Sequence, residues 1–200
     1  MLFNIMTQSD NLSEILEKVI QSRTPIESVD FPRPAGLYGI FLAPNCSLGK
    51  FAQKCGNLIY FGKAQRSLAS RDLGTHFTSG RTGWSTLRRS TGAILKSELS
   101  LKSIPRTPKR SATDLRNYKF TTDGEEKLTS WMKRSLEIGF FVPPNFLSGE
   151  ELYTLEGSIL QLVRAPLDLD RRTKHLNLFA PQLDQLREVC RAEARSGGFA

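Results

Sequence analysis

The chain has 200 residues, of which 39% are hydrophobic and 24% charged, proportions that suit a globular protein with enough apolar surface to build a core. Its formal charge of +8 favours a polyanionic partner. No apolar run reaches a membrane span and no basic-then-apolar leader opens the chain, so a cytoplasmic protein with no membrane partner is expected. Cys46, Cys55 and Cys190, with His76 and His175, show no paired metal-ligand spacing, which argues for reduced thiols and against structural zinc.

Residues 10–22 place Leu12, Ile15, Leu16, Val19 and Ile20 on one face of a helix suited to covering a sheet. A loop rich in proline and charge then leads into 36–42 (GLYGIFL), which reads as a strand, as does 57–62 (NLIYFG). The connection between them carries Pro44, Asn45, Gly49 and Gly56, so the two runs read as an antiparallel pair with a long loop. Ser67 is placed to cap a short helix that turns Leu68 and Leu73 inward and holds Arg71 near the strands. Tyr38, Tyr60, Lys63, Arg71 and His76 thereby converge from one unit. A phenol or imidazole that takes a proton, beside cations that hold phosphate oxygens, suits a phosphodiester substrate. A carboxylate to hold a metal ion must come from elsewhere in the chain.

Residues 80–119 carry ten Lys and Arg against Glu98 and Asp114. A solvated face is the usual fate of such a run. Here the charge is segregated, and a phosphate-binding surface is preferred, with Arg81, Arg88, Arg89, Lys96, Lys109 and Arg110 as its contacts. Residues 85–99 read as a helix with Leu87, Ile94, Leu95 and Leu99 inward and Arg88 and Arg89 off that face. Residues 117–122 read as a short strand. Asp123 is expected to cap a helix over 124–135, with Glu126 completing a capping box and Trp131 in the core. Residues 136–142 (LEIGFFV) read as the third main strand, stopped by Pro143 and Pro144. Ser148 with Glu151 marks the start of a helix over 149–164, where Glu156 sits at the margin of the stripe formed by Leu152, Leu155, Ile159, Leu160 and Val163. An ordinary ion pair is the simplest role for a carboxylate there. Pro166 and Leu167 end the helix, a charged loop covers 168–174, and 182–194 reads as a closing helix.

The ordered set Gly36-Leu37-Tyr38, Tyr60-Phe61-Gly62-Lys63-Ala64, Arg71 and His76 resembles the signature of the GIY-YIG nucleases. The middle residue of each triplet is replaced by another apolar one. The resemblance runs from about 34 to 177 and adds Glu156 at the position of the family glutamate. It implies an α/β (α+β) fold with a small, mainly antiparallel central sheet flanked by helices. One domain is expected over 1–200, with 1–33 as an N-terminal helical extension, 80–119 as a basic insertion and 178–200 as a C-terminal helix. It further implies a metal-dependent endonuclease of double-stranded DNA, leaving 5′-phosphate and 3′-hydroxyl ends. In that mechanism Glu156 holds one Mg²⁺ or Mn²⁺, and Tyr38 takes the proton of water, with His76 as the other candidate base. Arg71 and Lys63 stabilise charge, while Tyr60 and His76 position water or phosphate. The family often places an asparagine just after such a Pro-Leu pair; here Asp168 occupies that position, and Asn177, the candidate for the role, comes later. A restriction-type role would bring a homodimer. The alternative is a catalytically silent nucleic-acid-binding module or the targeting subunit of a larger complex.

Overall fold

The computed structural model describes residues 8–51, 57–69 and 71–197, and for 8–10 and 71–73 the backbone only. In chain order its elements are helix α1 (Gln8–Gln21) and strands β1 (Thr24–Pro25), β2 (Gly36–Leu42) and β3 (Leu58–Ala64). Helices α2 (Arg71–Phe77) and α3 (Thr86–Ile94) follow, then strand β4 (Ser103–Ile104), helix α4 (Ala112–Arg116) and strand β5 (Lys119–Phe120). Helix α5 (Thr122–Ser135), strand β6 (Leu136–Phe141) and helices α6 (Gly149–Val163) and α7 (Ala180–Ser196) complete the order. The fold is mixed α/β: helices surround a four-stranded antiparallel sheet of order β1-β6-β2-β3, with β4 and β5 as a separate ribbon. Among the described residues no helix is long and apolar enough to cross a membrane.

Every residue of the central strand β2 is buried, because both faces of the sheet are covered. Alternation sends Tyr38, Ile40 and Leu42 to one face and Leu37 and Phe41 to the other. The first face packs with Ile59 and Ile138 against Leu87 of α3, Leu128 and Met132 of α5 and Leu183 of α7. The second packs Leu58 and Phe61 against Ile15 and Val19 of α1 and Leu152, Ile159 and Leu160 of α6. Helix α1 therefore covers the sheet, as its apolar stripe requires. Strand β3 lies at the sheet edge, and the chain after α6 closes that edge. Leu167 N donates to Ile59 O at 2.9 Å, and Asp168 Oδ2 accepts from Phe61 N at 3.0 Å.

Two helix starts differ from the sequence expectation. Helix α2 begins at Arg71, because the chain at 67–69 is tied back to the loop before β2 instead. Leu68 N and Ala69 N donate to Pro34 O and Pro32 O, and Leu68 is buried without being helical. Helix α5 is entered through Thr121, with Asp123 already inside its first turn. Glu126 is exposed, and it is Glu125 that turns inward to accept from Phe120 N. The start of α6 is as expected: Ser148 and Glu151 form a reciprocal capping box. Cys46 and Cys190 are free thiols, while Cys55 lies outside the described residues.

Candidate active site

Tyr38 and Tyr60 rise from neighbouring strands on the same face, with ring centroids 6.3 Å apart. The cross-strand partner of Tyr38 is Gly62. A Cβ there would stand 2.8 Å from the Tyr38 hydroxyl, so only glycine lets the phenol lie across the strand. Tyr38 Oη is 2.9 Å from His76 Nε2, and His76 Nδ1 is 2.7 Å from Ser85 Oγ. Ser85 is also the N-cap of α3, accepting from Arg88 N at 3.0 Å. One hydroxyl thus starts a helix and orients the imidazole. Burial, then the Arg88 charge, lowers the His76 pKa to about 4, so the ring is neutral near neutral pH. Burial also pushes the Tyr38 hydroxyl well above the ordinary phenol value, assisted by Tyr60, Asp168 and Glu156. The surroundings therefore keep Tyr38 protonated.

Around the corner of β3 lies the carboxylate side. Glu156 is 7% exposed, and its Oε2 accepts from Lys63 Nζ at 2.7 Å and from Arg172 Nη2 at 2.5 Å. Among the described residues no hydrogen bond falls on Oε1. Arg172 is held charged by Asp170 first and by Glu156 second, and it stacks on Tyr153 with its guanidinium carbon 3.8 Å from the ring centroid. Burial raises the pKa of Asp168 well above the carboxylate range, against the bond from Phe61 N. Two clefts meet here. One, of about 470 Å³, is lined by Tyr38, Tyr60, Arg66, Thr75, His76, Arg81, Trp84 and Thr86. The other, of about 140 Å³, is lined by Glu156, Asp168 and Asp170, and shares Tyr60 and Thr86 with the first.

A hard divalent cation suits this carboxylate side. No group of three or more His, Cys, Asp or Glu that could hold a metal occurs among the described residues. The protein supplies one partly available carboxylate rather than a cage, the pattern of Mg²⁺ sites completed by phosphate oxygens and water. The donor set therefore fits the single ion expected at Glu156.

Other sequence expectations are redirected. Arg88 is 0% exposed and pairs with buried Glu125 at 2.7 Å through Nη2, which also donates to Glu125 O, while its Nε and Nη1 donate to Thr82 Oγ1 and His76 O. Arg89 is buried too, donating to Thr82 O and Gly83 O. Both belong to the core instead of a phosphate surface, because nearly the whole circumference of α3 is enclosed. Lys96 is bound to Glu193 Oε2 and Leu101 O, and Arg110 donates to Arg195 O and Gly197 O at the C-terminal end of α7. These two serve that helix end. Arg81 and Lys109 remain exposed, and Arg81 lines the larger cleft. Asn177 does not reach either cleft: its Nδ2 donates to the carbonyls of Ala165, Pro166 and Asp168, and its Oδ1 accepts from Phe179 N. It fastens the segment that carries Asp168, and a direct catalytic role is set aside. The side chain of Arg71 lies outside the described residues. Arg66, Trp84, Thr86, Asp170 and Arg172 were not singled out from sequence. Only Arg66, three residues beyond Lys63, and the charged loop over 168–174 gave any signal of them.

A phenol–imidazole pair, exposed arginines and a buried carboxylate arranged along joined clefts are the parts of a site for phosphoryl chemistry. The family model of the GIY-YIG catalytic domain matches residues 37–189, and the chain belongs to that family, a nuclease-type domain. Neither the comparison with curated proteins nor that with solved structures gave a match.

Proposed function

We propose that the protein is a divalent-metal-dependent DNA endonuclease that hydrolyses phosphodiester bonds to 5′-phosphate and 3′-hydroxyl ends. The observation that carries this is the junction of the two clefts at Tyr60 and Thr86, which sets the Tyr38–His76 pair on one side and Glu156 on the other. A phosphodiester lying across that junction meets a proton acceptor and a metal-binding carboxylate at once.

Tyr38 is kept protonated by burial, so it cannot wait as a phenolate. It acts as a relay: it takes the proton of the attacking water as its own proton passes to His76 Nε2. Tyr38 stays neutral throughout, and the charge appears on His76, whose Nδ1–H is then received by Ser85 Oγ. The incoming phosphate raises the basicity of His76 when it is needed. Arg66 and Arg81 hold the strand on either side, and Arg71 opposes the charge that develops on phosphorus. Glu156 would hold one Mg²⁺ or Mn²⁺, which supplies Lewis-acid stabilisation of the phosphoryl oxygens and leaving group. Lys63 and Arg172 both hold Glu156 Oε2 and aim the carboxylate at the junction. Cutting both strands at one site takes two copies, so a restriction-type role goes with a homodimer.

The test is incubation of supercoiled plasmid and linear duplex with Mg²⁺ or with EDTA, followed by mapping of the ends. Nicks or breaks that appear only with the metal, and that DNA ligase reseals without end repair, are expected. Binding without any cleavage under either condition would make the chain the nucleic-acid-binding module instead.

A further inference from the structure

The two tryptophans of the chain differ sharply. Trp131 is 8% exposed and belongs to the core, whereas Trp84 is 50% exposed and forms part of the wall of the Tyr38–His76 cleft. The turn that carries the exposed indole is held firmly. Trp84 ends this 3-10 turn, Thr82–Trp84, whose carbonyls at Thr82 and Gly83 both accept from the buried Arg89 guanidinium. Arg88, buried against Glu125, holds Thr82 Oγ1 in the same turn. A Cβ on Gly83 would stand 2.5 Å from the Arg106 side chain and 2.9 Å from Asn117 O, so the turn is pressed against its support. Two guanidiniums face the indole: Arg81 at 5.7 Å and Arg106 at 5.4 Å from its ring centroid. Arg66 lines the same cleft.

We infer that Trp84 is a stacking platform for one unstacked nucleobase, and that the substrate class is DNA with an unpaired or displaced base beside the bond to be cut. This rests on the nuclease reading above and narrows its substrate. A rigid, half-exposed π-face flanked by cations offers what a nucleotide presents, a flat base joined to an anionic backbone. Bases inside a duplex already have both faces covered by neighbours. Only a base outside the stack can lie on this ring. The cleft of about 470 Å³ lies within the range of ligand sites and includes Tyr38 and His76, so a base on Trp84 fixes the register of the scissile phosphate. The buried pair Arg88 and Arg89 then has a role one step removed from DNA, as the support that preorganises the platform.

The experiment uses the full chain carrying Glu156→Gln, so that DNA is held and not cut. Two labelled duplexes are compared, one fully paired and one with 2-aminopurine in a single-base bulge. The bulged duplex should bind about tenfold more tightly, and 2-aminopurine fluorescence should fall on binding as the base stacks on indole. Trp84→Ala should remove both the preference and the quenching, and Trp84→Phe should restore most of the preference. Equal affinity for the two duplexes without quenching, or quenching that survives Trp84→Ala, would overturn the inference while leaving the nuclease reading in place if the wild-type chain still cuts paired DNA. A wild-type chain that neither binds nor cuts any DNA would overturn both.

Discussion

Tyr38 and His76 share one hydrogen bond of 2.9 Å inside the fold, and the burial that joins them displaces both pKa values away from neutrality. Tyr38→Phe deletes one hydroxyl and little volume, so the fold should survive. Turnover should fall by roughly a hundred-fold or more in a single-turnover cleavage assay, as expected for a lost proton acceptor. His76→Gln should cost a similar factor if the pair works as a relay, whereas full activity of Tyr38→Phe with an inactive His76→Gln would make His76 the base. The depressed His76 pKa also links stability to pH. The unfolded chain binds a proton at His76 below about 6.5, and the folded chain only below about 4. The unfolded state therefore carries more protons in that window, and stability falls as pH drops through it. The loss between pH 7.5 and pH 5 should be about 2 kcal/mol from this group. Asp168 acts in the opposite sense, since its raised folded pKa adds stability as pH falls. Urea unfolding of wild type and His76→Gln at both pH values isolates the histidine as the difference between the two losses.

Helix α3 shows how an element can reverse the reading of its own sequence. Arg88 and Arg89 look like a surface pair, but α3 is wrapped by α7, by the turn before it and by the Glu125 side chain, so almost none of its surface reaches water. Glu125 gathers four donors: Gly80 N, Thr82 Oγ1, Arg88 Nη2 and Phe120 N. Removing one partner of such a network leaves a buried charge behind. Arg88→Gln or Glu125→Gln should each destabilise the fold by about 3–5 kcal/mol, measured by thermal or urea unfolding. A loss of only a few tenths would mean that Arg88 faces water after all. Strands β2, β3 and β6 and helices α1, α6 and α7 were legible because periodicity and breakers specify them locally. Tyr38, Tyr60 and His76 were legible as a group because their spacing places them on neighbouring elements. The starts of α2 and α5 were not, since long-range hydrogen bonds to Pro32 and Pro34 decided the first and the inward turn of Glu125 onto Phe120 N the second. The partners of Glu156 were half visible: Lys63 was named for another role, and Arg172 lay in a loop whose return to α6 no local pattern encodes. Asn177 shows the same limit, because its work on three carbonyls depends on where the loop passes.

At the scale of the molecule, the net charge of +8 is distributed differently from the sequence expectation. Much of the basic run over 80–119 is internal or paired, through Arg88, Arg89, Lys96, Arg106 and Arg110. Among the described side chains, the arginines that line the larger cleft are Arg66 and Arg81, on two different segments. Each neutralised phosphate contributes about −0.9 to the slope of log affinity against log salt. Changing Arg66 and Arg81 together to Gln should therefore flatten that slope by up to about two units in a fluorescence titration. An unchanged slope would place the DNA elsewhere on the surface. We propose that phosphodiester hydrolysis is performed at the junction between the Tyr38–His76 pair and Glu156. This is tested most directly by the rate of plasmid nicking at saturating DNA for wild type and Glu156→Gln, with binding of the same DNA measured beside it. Metal-dependent nicking by the wild type, none by Glu156→Gln, and retained DNA binding by both are expected. Nicking by Glu156→Gln at close to the wild-type rate would contradict the proposal.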